Sequence, residues 1–303
     1  MSDDCYPAYL SFLGLPEDAN PQERARVAVL PIPYDHTTSY QAGARRGPLA
    51  ILEASAYVET YDEELDRDVV GELGIVTLPP IAPEAAGPQA MQARIARVAA
   101  EVWRQNRFVV ALGGEHSVSP PLVEAARSRH PGLGVLQLDA HADLRSAYEG
   151  TLANHACAMY PLVQAGVPLA QVGIRSLTAE ERQLQRERNV CCVFAAEAVG
   201  RPVDEWIDRV LDALPEQVYV TIDLDALDPS IMPATGTPEP GGLDWYRALA
   251  VLRAVALRKR IVACDVVELA PQPGNVAPDF LAARLAYKLI GYRFFLGPGA
   301  GSD

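Results

Sequence analysis

What the 303-residue chain lacks narrows its chemistry before anything it contains does. It has two lysines, Lys259 and Lys288, and neither stands in a glycine-rich loop. A lysine-bearing phosphate loop or a Schiff-base pocket therefore has almost nowhere to be built. The five cysteines (Cys5, Cys157, Cys191, Cys192, Cys264) are odd in number and show no C-x-x-C spacing. That excludes a disulfide framework and a zinc ribbon. Lys+Arg 26 against Asp+Glu 39 leaves a net charge of −13, so no basic stripe exists for nucleic acid or an anionic membrane surface. The opening Met-Ser-Asp-Asp has no basic n-region or apolar h-region of a signal peptide. No apolar run approaches the roughly 18 residues of a membrane-spanning helix. A cytoplasmic location is the expectation.

What is present is globular: 49% hydrophobic and 21% charged residues, enough for a sizeable core. Continuous Val/Ile/Leu-type runs predict strands at 26–30, 108–112, 134–138, 171–174, 191–194, 217–222 and 260–267. Their lack of alternation suits strands covered on both faces. Helical patterns fill 89–105, 121–129, 179–188, 203–213, 243–256 and 279–289, with Ile95, Val98 and Val102 forming one apolar stripe. Strand, helix, strand in repetition predicts a parallel sheet with helices on both faces, in one domain spanning 1–303.

In such sheets ligands bind beyond the carboxyl ends of the strands. Four strand ends here deliver acids or imidazoles: Gly113-Gly-Glu-His116-Ser117, Asp139-Ala-His141-Ala-Asp143, Asp223-Leu-Asp225, and Glu268. A spacing of two in extended chain puts Asp139, His141 and Asp143 toward one point, and Asp223 and Asp225 likewise. Four carboxylates in a confined cleft demand protons or cations. Two divalent ions balance that charge, and an all-carboxylate and imidazole set suits Mn²⁺ better than structural zinc. Such ions would sit about 3.5 Å apart, sharing carboxylates.

Other features carry bland readings. Cys157, close to His155, reads as a small buried hydrophobe and not as a nucleophile. Cys191, Cys192 and Cys264 read as core, His130 as a helix-end surface histidine, and Trp103, Trp206 and Trp245 as packing residues. Helix 179–188 reads as a solvated charged face. His36 stands open between a pocket role and none.

These segments, in this order, resemble the ureohydrolase family of arginases and agmatinases. Further matches are Asp228-Pro229, Ala234-Thr-Gly-Thr237-Pro-Glu-Pro-Gly-Gly242, Asp265-Val-Val-Glu268 and the upstream loop from Pro33 to Pro48. The resemblance spans about Val27 to Leu289 and implies a three-layer α/β/α sandwich around a mostly parallel sheet. It also implies a homo-oligomer, trimer or hexamer, and two Mn²⁺ per subunit. It makes His116, Asp139, His141, Asp143, Asp223 and Asp225 the metal ligands, with Asp139 and Asp223 bridging. Asp143 also matches the residue that orients the bridging hydroxide, His155 the proton shuttle, and Glu268 the carboxylate that holds the guanidinium beside Thr237. Asp228 resembles a turn residue.

The implied reaction is hydrolysis of the guanidinium of agmatine to putrescine and urea. Arginases carry an Asn two residues beyond the last Asp of D-A-H-x-D; here that position is Arg145, which resembles agmatinases more. A cation there would also suit a carboxylate tail, so guanidinobutyrate is a competing substrate. A non-catalytic or deacetylase-like relative on the same fold is the alternative of a different class.

Overall fold

The computed structural model of the chain describes residues 10–15, 25–105 and 107–300. Eight strands form one sheet: β1 (Val27–Ile32), β2 (Ile75–Thr77), β3 (Phe108–Gly113), β4 (Gly134–Leu138), β5 (Leu169–Ile174), β6 (Cys191–Phe194), β7 (Gln217–Asp223) and β8 (Arg260–Val267). Their order is β2-β1-β3-β8-β7-β4-β5-β6, and every neighbouring pair is parallel. Seven longer helices cover it: α1 (Gly47–Ser55), α2 (Pro88–Trp103), α3 (Ser119–Arg129), α4 (Ala179–Glu187), α5 (Ile207–Ala213), α6 (Trp245–Arg258) and α7 (Ala277–Phe295).

The unbroken apolar runs follow from this layering. Val27 and Val29 pack on one face with Ile51 and Leu52 of α1 and Leu285 and Leu289 of α7. Ala28 and Leu30, one residue out of phase, pack on the other with Met91 and Ile95 of α2 and Leu122 of α3. The same division separates Val110 from Val109 and Val220 from Tyr219, so both sides of each central strand are dry. The expected α/β/α sandwich is what forms, its sheet parallel throughout.

Several elements differ in detail. α1 and the edge strand β2 were not legible as elements. The run predicted over 203–213 is a short turn, Val203–Glu205, and then α5, because Trp206 between them takes φ −134° and ψ −13°. Cys264 and Trp206 are buried as expected, but Cys191 and Cys192 are only half-buried, since β6 is the sheet's edge. Trp245 and Val98 are also half-buried; Met91 and Ala99 complete the α2 stripe instead. α4 is not a wholly solvated face: Glu181 and Gln185 are buried. Cys5 lies outside the described residues. No described helix is long and apolar enough to cross a membrane.

Ionic contacts from Lys288 and Arg284 tie α7 to the 61–68 hairpin. Lys288, 2% exposed, places Nζ 2.9 Å from Asp62 Oδ1 and 3.3 Å from Glu64 Oε2. Asp62 is fully buried, so removing the cation leaves a buried charge with only the Glu64 and Leu65 backbone N–H groups to compensate it. Lys288→Ala is expected to cost about 3–5 kcal/mol in urea denaturation; a loss below about 1 kcal/mol, typical of exposed pairs, would contradict this account.

Candidate metal centre

β3, β8, β7 and β4 are adjacent, and because all run the same way their carboxyl ends share one edge of the sheet. The chain leaves β3 through Gly113 and Gly114. A Cβ on Gly114 would fall 1.8 Å from the Tyr34 carbonyl oxygen, an approach only glycine permits. That close pass, with Glu115 N donating to Tyr34 O at 2.8 Å, delivers His116 to the edge.

The six side chains expected as ligands converge there. His116 Nδ1 lies 2.9 Å from Asp143 Oδ2, 3.1 Å from Asp139 Oδ2 and 3.6 Å from Asp223 Oδ2. His141 Nδ1 lies 2.9 Å from Asp225 Oδ2 and 3.7 Å from Asp139 Oδ1. Two groups could each hold an ion, His116–Asp139–Asp223 and Asp139–His141–Asp225, with donor atoms within 4.8 Å of one another. Asp139 belongs to both. Asp223 belongs to the first only, and Asp143 joins through its contact with His116.

Whether these residues suit a cation is answered by His116. Its Nε2 is 2.9 Å from Thr221 Oγ1, and the Thr221 hydroxyl donates to Asp265 Oδ1 at 2.6 Å. The threonine oxygen is then left to accept, so Nε2 carries the proton and Nδ1 offers its lone pair. That buried Nδ1 has no hydrogen-bond partner among the described residues, yet three carboxylate oxygens crowd it. A bare lone pair facing anions is untenable: it takes a cation between them or, without one, a second ring proton. Burial opposes the charged form, but Asp139 and Asp143 outweigh it and lift His116 well above its usual range. The donor set, oxygen and imidazole without thiolate, fits hard or borderline divalent ions.

Without such ions the cluster recruits protons. Burial, then the charges of Asp143 and Asp225, push Asp139 up to about 7. Burial and its acidic neighbours also lift Asp223 well above the usual range. Burial opposes the charged form of His141, but Asp225 and Asp139 outweigh it and raise it to about 10. Burial opposes ionisation of Asp225 too, yet His141 holds it down at about 2. Backbone is constrained as well: Asp143 at φ 52° and Glu268 at φ 68° occupy the left-handed region that disfavours residues with a Cβ.

Beside the cluster opens a cavity of about 250 Å³ lined by His155, Glu268, Thr237, Arg145, Tyr148 and Ser39 together with Asp143, Asp223 and Asp225. Glu268 Oε1 accepts from the His116 backbone N–H at 2.7 Å, which leaves Oε2 as its open atom. Burial raises Glu268 well above the carboxylate range, and Glu115 adds to it. His155 places Nε2 3.2 Å from Ser39 Oγ, and its N–H donates to Thr37 Oγ1 at 3.1 Å. Thr37 in turn grips Glu115 through both its N–H and its hydroxyl, each at 2.6 Å. Burial lowers His155. Arg145 stacks its guanidinium 4.7 Å above the Tyr148 ring on the cavity wall.

The remaining candidates separate cleanly. Asp228 accepts from Ser230, Gly241 and Gly242 N–H groups and is a turn residue. Cys157 is buried and its thiol is pushed up to about 12, which leaves no thiolate. His36 is exposed, stacked on Tyr34, and is not among the lining residues. His130 is half-buried against Gln217 at the start of β7, the opposite edge of the sheet. Sequence reasoning assigned no role to Thr221, Asp265, Thr37, Glu115 or the glutamines behind Asp139. A lone Asp or Gln inside an apolar strand was the available signal.

The raised groups set a pH dependence. Asp139 and His141 bind protons more tightly in the folded metal-free protein than in the unfolded chain, so stability falls as pH rises from about 4 toward about 10. Chelator-treated protein is expected to melt at a lower temperature at about pH 8 than at about pH 5, with added Mn²⁺ narrowing the gap. Equal melting temperatures across that range would contradict the cluster's electrostatics.

Comparison with known proteins follows the same lines. An N(1)-aminopropylagmatine ureohydrolase of Synechocystis is 42% identical over 275 residues, covering 88% of this chain and 89% of that one. An agmatinase of Pyrococcus horikoshii is 35% identical over 269 residues, covering 87% and 90%. The crystal structure of proclavaminate amidino hydrolase from Streptomyces clavuligerus superposes with a TM-score of 0.85 at 28% identity, covering 95% of this chain and 97% of that one. The arginase family model matches residues 25–291, and the chain belongs to the arginase family.

Proposed function

We propose that the chain is a ureohydrolase that removes urea from a cationic guanidinoalkylamine. The observation that carries this reading is the six-residue cluster beside a cavity whose wall ends in Glu268. His116, Asp139, His141, Asp143, Asp223 and Asp225 would hold two divalent ions, Mn²⁺ in our reading, and Asp139 is common to both donor groups. Such ions, when bound, neutralise the four carboxylates and supply an acidified water as nucleophile near neutral pH. Asp143, held in its strained backbone, orients that nucleophile.

The protein's own groups do the rest. Glu268 offers Oε2 to the guanidinium, a charge-assisted contact that fixes the substrate against the cluster, and Thr237 closes the same wall. As the carbon–nitrogen bond breaks, the departing amine needs a proton. His155, kept mostly neutral by burial, accepts one and passes it on. The relatives near 42% identity favour N(1)-aminopropylagmatine, with agmatine, giving putrescine and urea, as the second reading. Arg145 on the cavity wall is the observation that keeps 4-guanidinobutyrate in contention. Homo-oligomeric assembly, trimer or hexamer, and a cytoplasmic location belong to the same proposal.

The test is urea release, with and without Mn²⁺, from N(1)-aminopropylagmatine, agmatine, arginine and 4-guanidinobutyrate. Turnover of the first is expected to exceed the others; silence toward all four while Mn²⁺ binds would end the hydrolase reading and leave a non-catalytic relative. His155→Ala is expected to keep its metal but lose about 10²- to 10⁴-fold in kcat. Unchanged kcat would remove His155 from the reaction.

A further inference from the structure

Beyond Asp139, outside the cavity lining, three glutamine side chains stand buried in line. Gln137 in β4 and Gln171 in β5 are register partners, each fully buried, and Gln185 in α4 is 1% exposed. Gln137 Nε2 donates to Asp139 Oδ2 at 2.7 Å and also reaches the His141 carbonyl at 3.3 Å. Gln171 Nε2 donates to Gln137 Oε1 at 2.6 Å and to the Ala142 carbonyl at 2.8 Å. Gln185 Nε2 donates to Gln171 Oε1 at 2.6 Å, and Arg182 Nη1 donates to Gln185 Oε1 at 3.0 Å.

The direction of this chain is forced. An ionised carboxylate only accepts and a guanidinium only donates, so each amide between them must present its NH₂ toward Asp139 and its oxygen toward Arg182. Three aligned amide dipoles polarise one another in a dry interior, and all point their positive end at one carboxylate oxygen. Burying three primary amides, two of them in strands otherwise built of glycine and aliphatic residues, costs desolvation that an apolar trio would avoid. α4 adds a second grip, since Glu181 Oε1 accepts from the Leu144 N–H at 2.9 Å, next to Asp143.

We propose that Gln137, Gln171 and Gln185 are positioning residues of the metal centre. They lock the rotamer of Asp139, keep its Oδ2 supplied with a donor, and hold the 139–142 turn that carries His141. The inference deepens the proposed function and rests on its metal site. It gives α4, whose first turn reaches the cavity lining through Glu181, a share in how tightly ions are held.

The experiment is the Mn²⁺ dissociation constant of the full-length wild type and of Gln137→Met, Gln171→Met and Gln185→Met, by competition with a chelating dye. Metal-free melting curves are recorded beside it. Met keeps bulk and removes the amide. A supporting outcome is Gln137→Met binding about 10- to 100-fold more weakly, the range for groups that orient ligands, with smaller losses at Gln171 and then Gln185. Unchanged Mn²⁺ affinity in all three, even with lowered melting temperatures, overturns the inference and leaves the glutamines with a packing role. Should Gln137→Met fail to fold, Gln185→Met at the outer end of the line decides by the same affinity measurement. A wild type that takes up no Mn²⁺ overturns the metal site itself, and this assignment with it.

Discussion

Four carboxylates at the carboxyl ends of neighbouring strands repel one another, and the fold is organised around containing that repulsion. Asp139, Asp143, Asp223 and Asp225 reach one small volume, with His116 and His141 set among them. Burial makes each charge harder to carry, which is why Asp139 and Asp223 hold protons above the ordinary carboxylate range in the absence of cations. A sheet able to bring these groups together must be rigid enough not to relax them apart. The two dry faces of the central strands provide that rigidity, because every other residue is clamped beneath a helix.

Rigidity extends into the loops. Asp143 and Glu268 are held at positive φ by contacts on both sides: the Asp143 carbonyl accepts from Met159 N–H at 2.9 Å, and Glu268 N–H donates to Gly114 O at 2.7 Å. Strained conformations persist only where their surroundings over-determine them. Thr221, fixed by Asp265, sets which nitrogen of His116 faces the cluster, and Tyr219 gives Asp265 a second donor at 2.7 Å. Orientation of the histidine is thus decided two side chains behind it, inside the sheet.

Much of this was legible in the residues. Strand ends loaded with acids and imidazoles marked all six candidate ligands, although the extended alternation expected there is not what aligns them: Asp143 lies beyond β4 at φ 52°, and His116 and Asp225 lie in single 3-10 turns. The roles of Glu268 and His155 came only with the resemblance, since a single Glu or His carries no spacing of its own. The supports were not legible. Gln137, Gln171 and Gln185 lie in different elements, and only the β4–β5 register and the seat of α4 align them. Helix α4 looked wholly solvated because seven of its nine residues are polar; the buried face is itself polar, Glu181 and Gln185, so hydrophobic periodicity had nothing to report. The short edge strand β2 failed for a related reason: three residues are too few for a pattern.

The hydrogen bond between Glu268 Oε1 and the His116 N–H joins two strands that the chain visits about 150 residues apart, and with them two halves of the site. Anything that pulls on the carboxylate is felt at the imidazole's backbone, and the reverse. Under the proposed function, occupancy of the substrate wall and occupancy of the ion cluster would therefore be thermodynamically linked. Reciprocity then requires that whatever factor one ligand imposes on the other's affinity be returned in full.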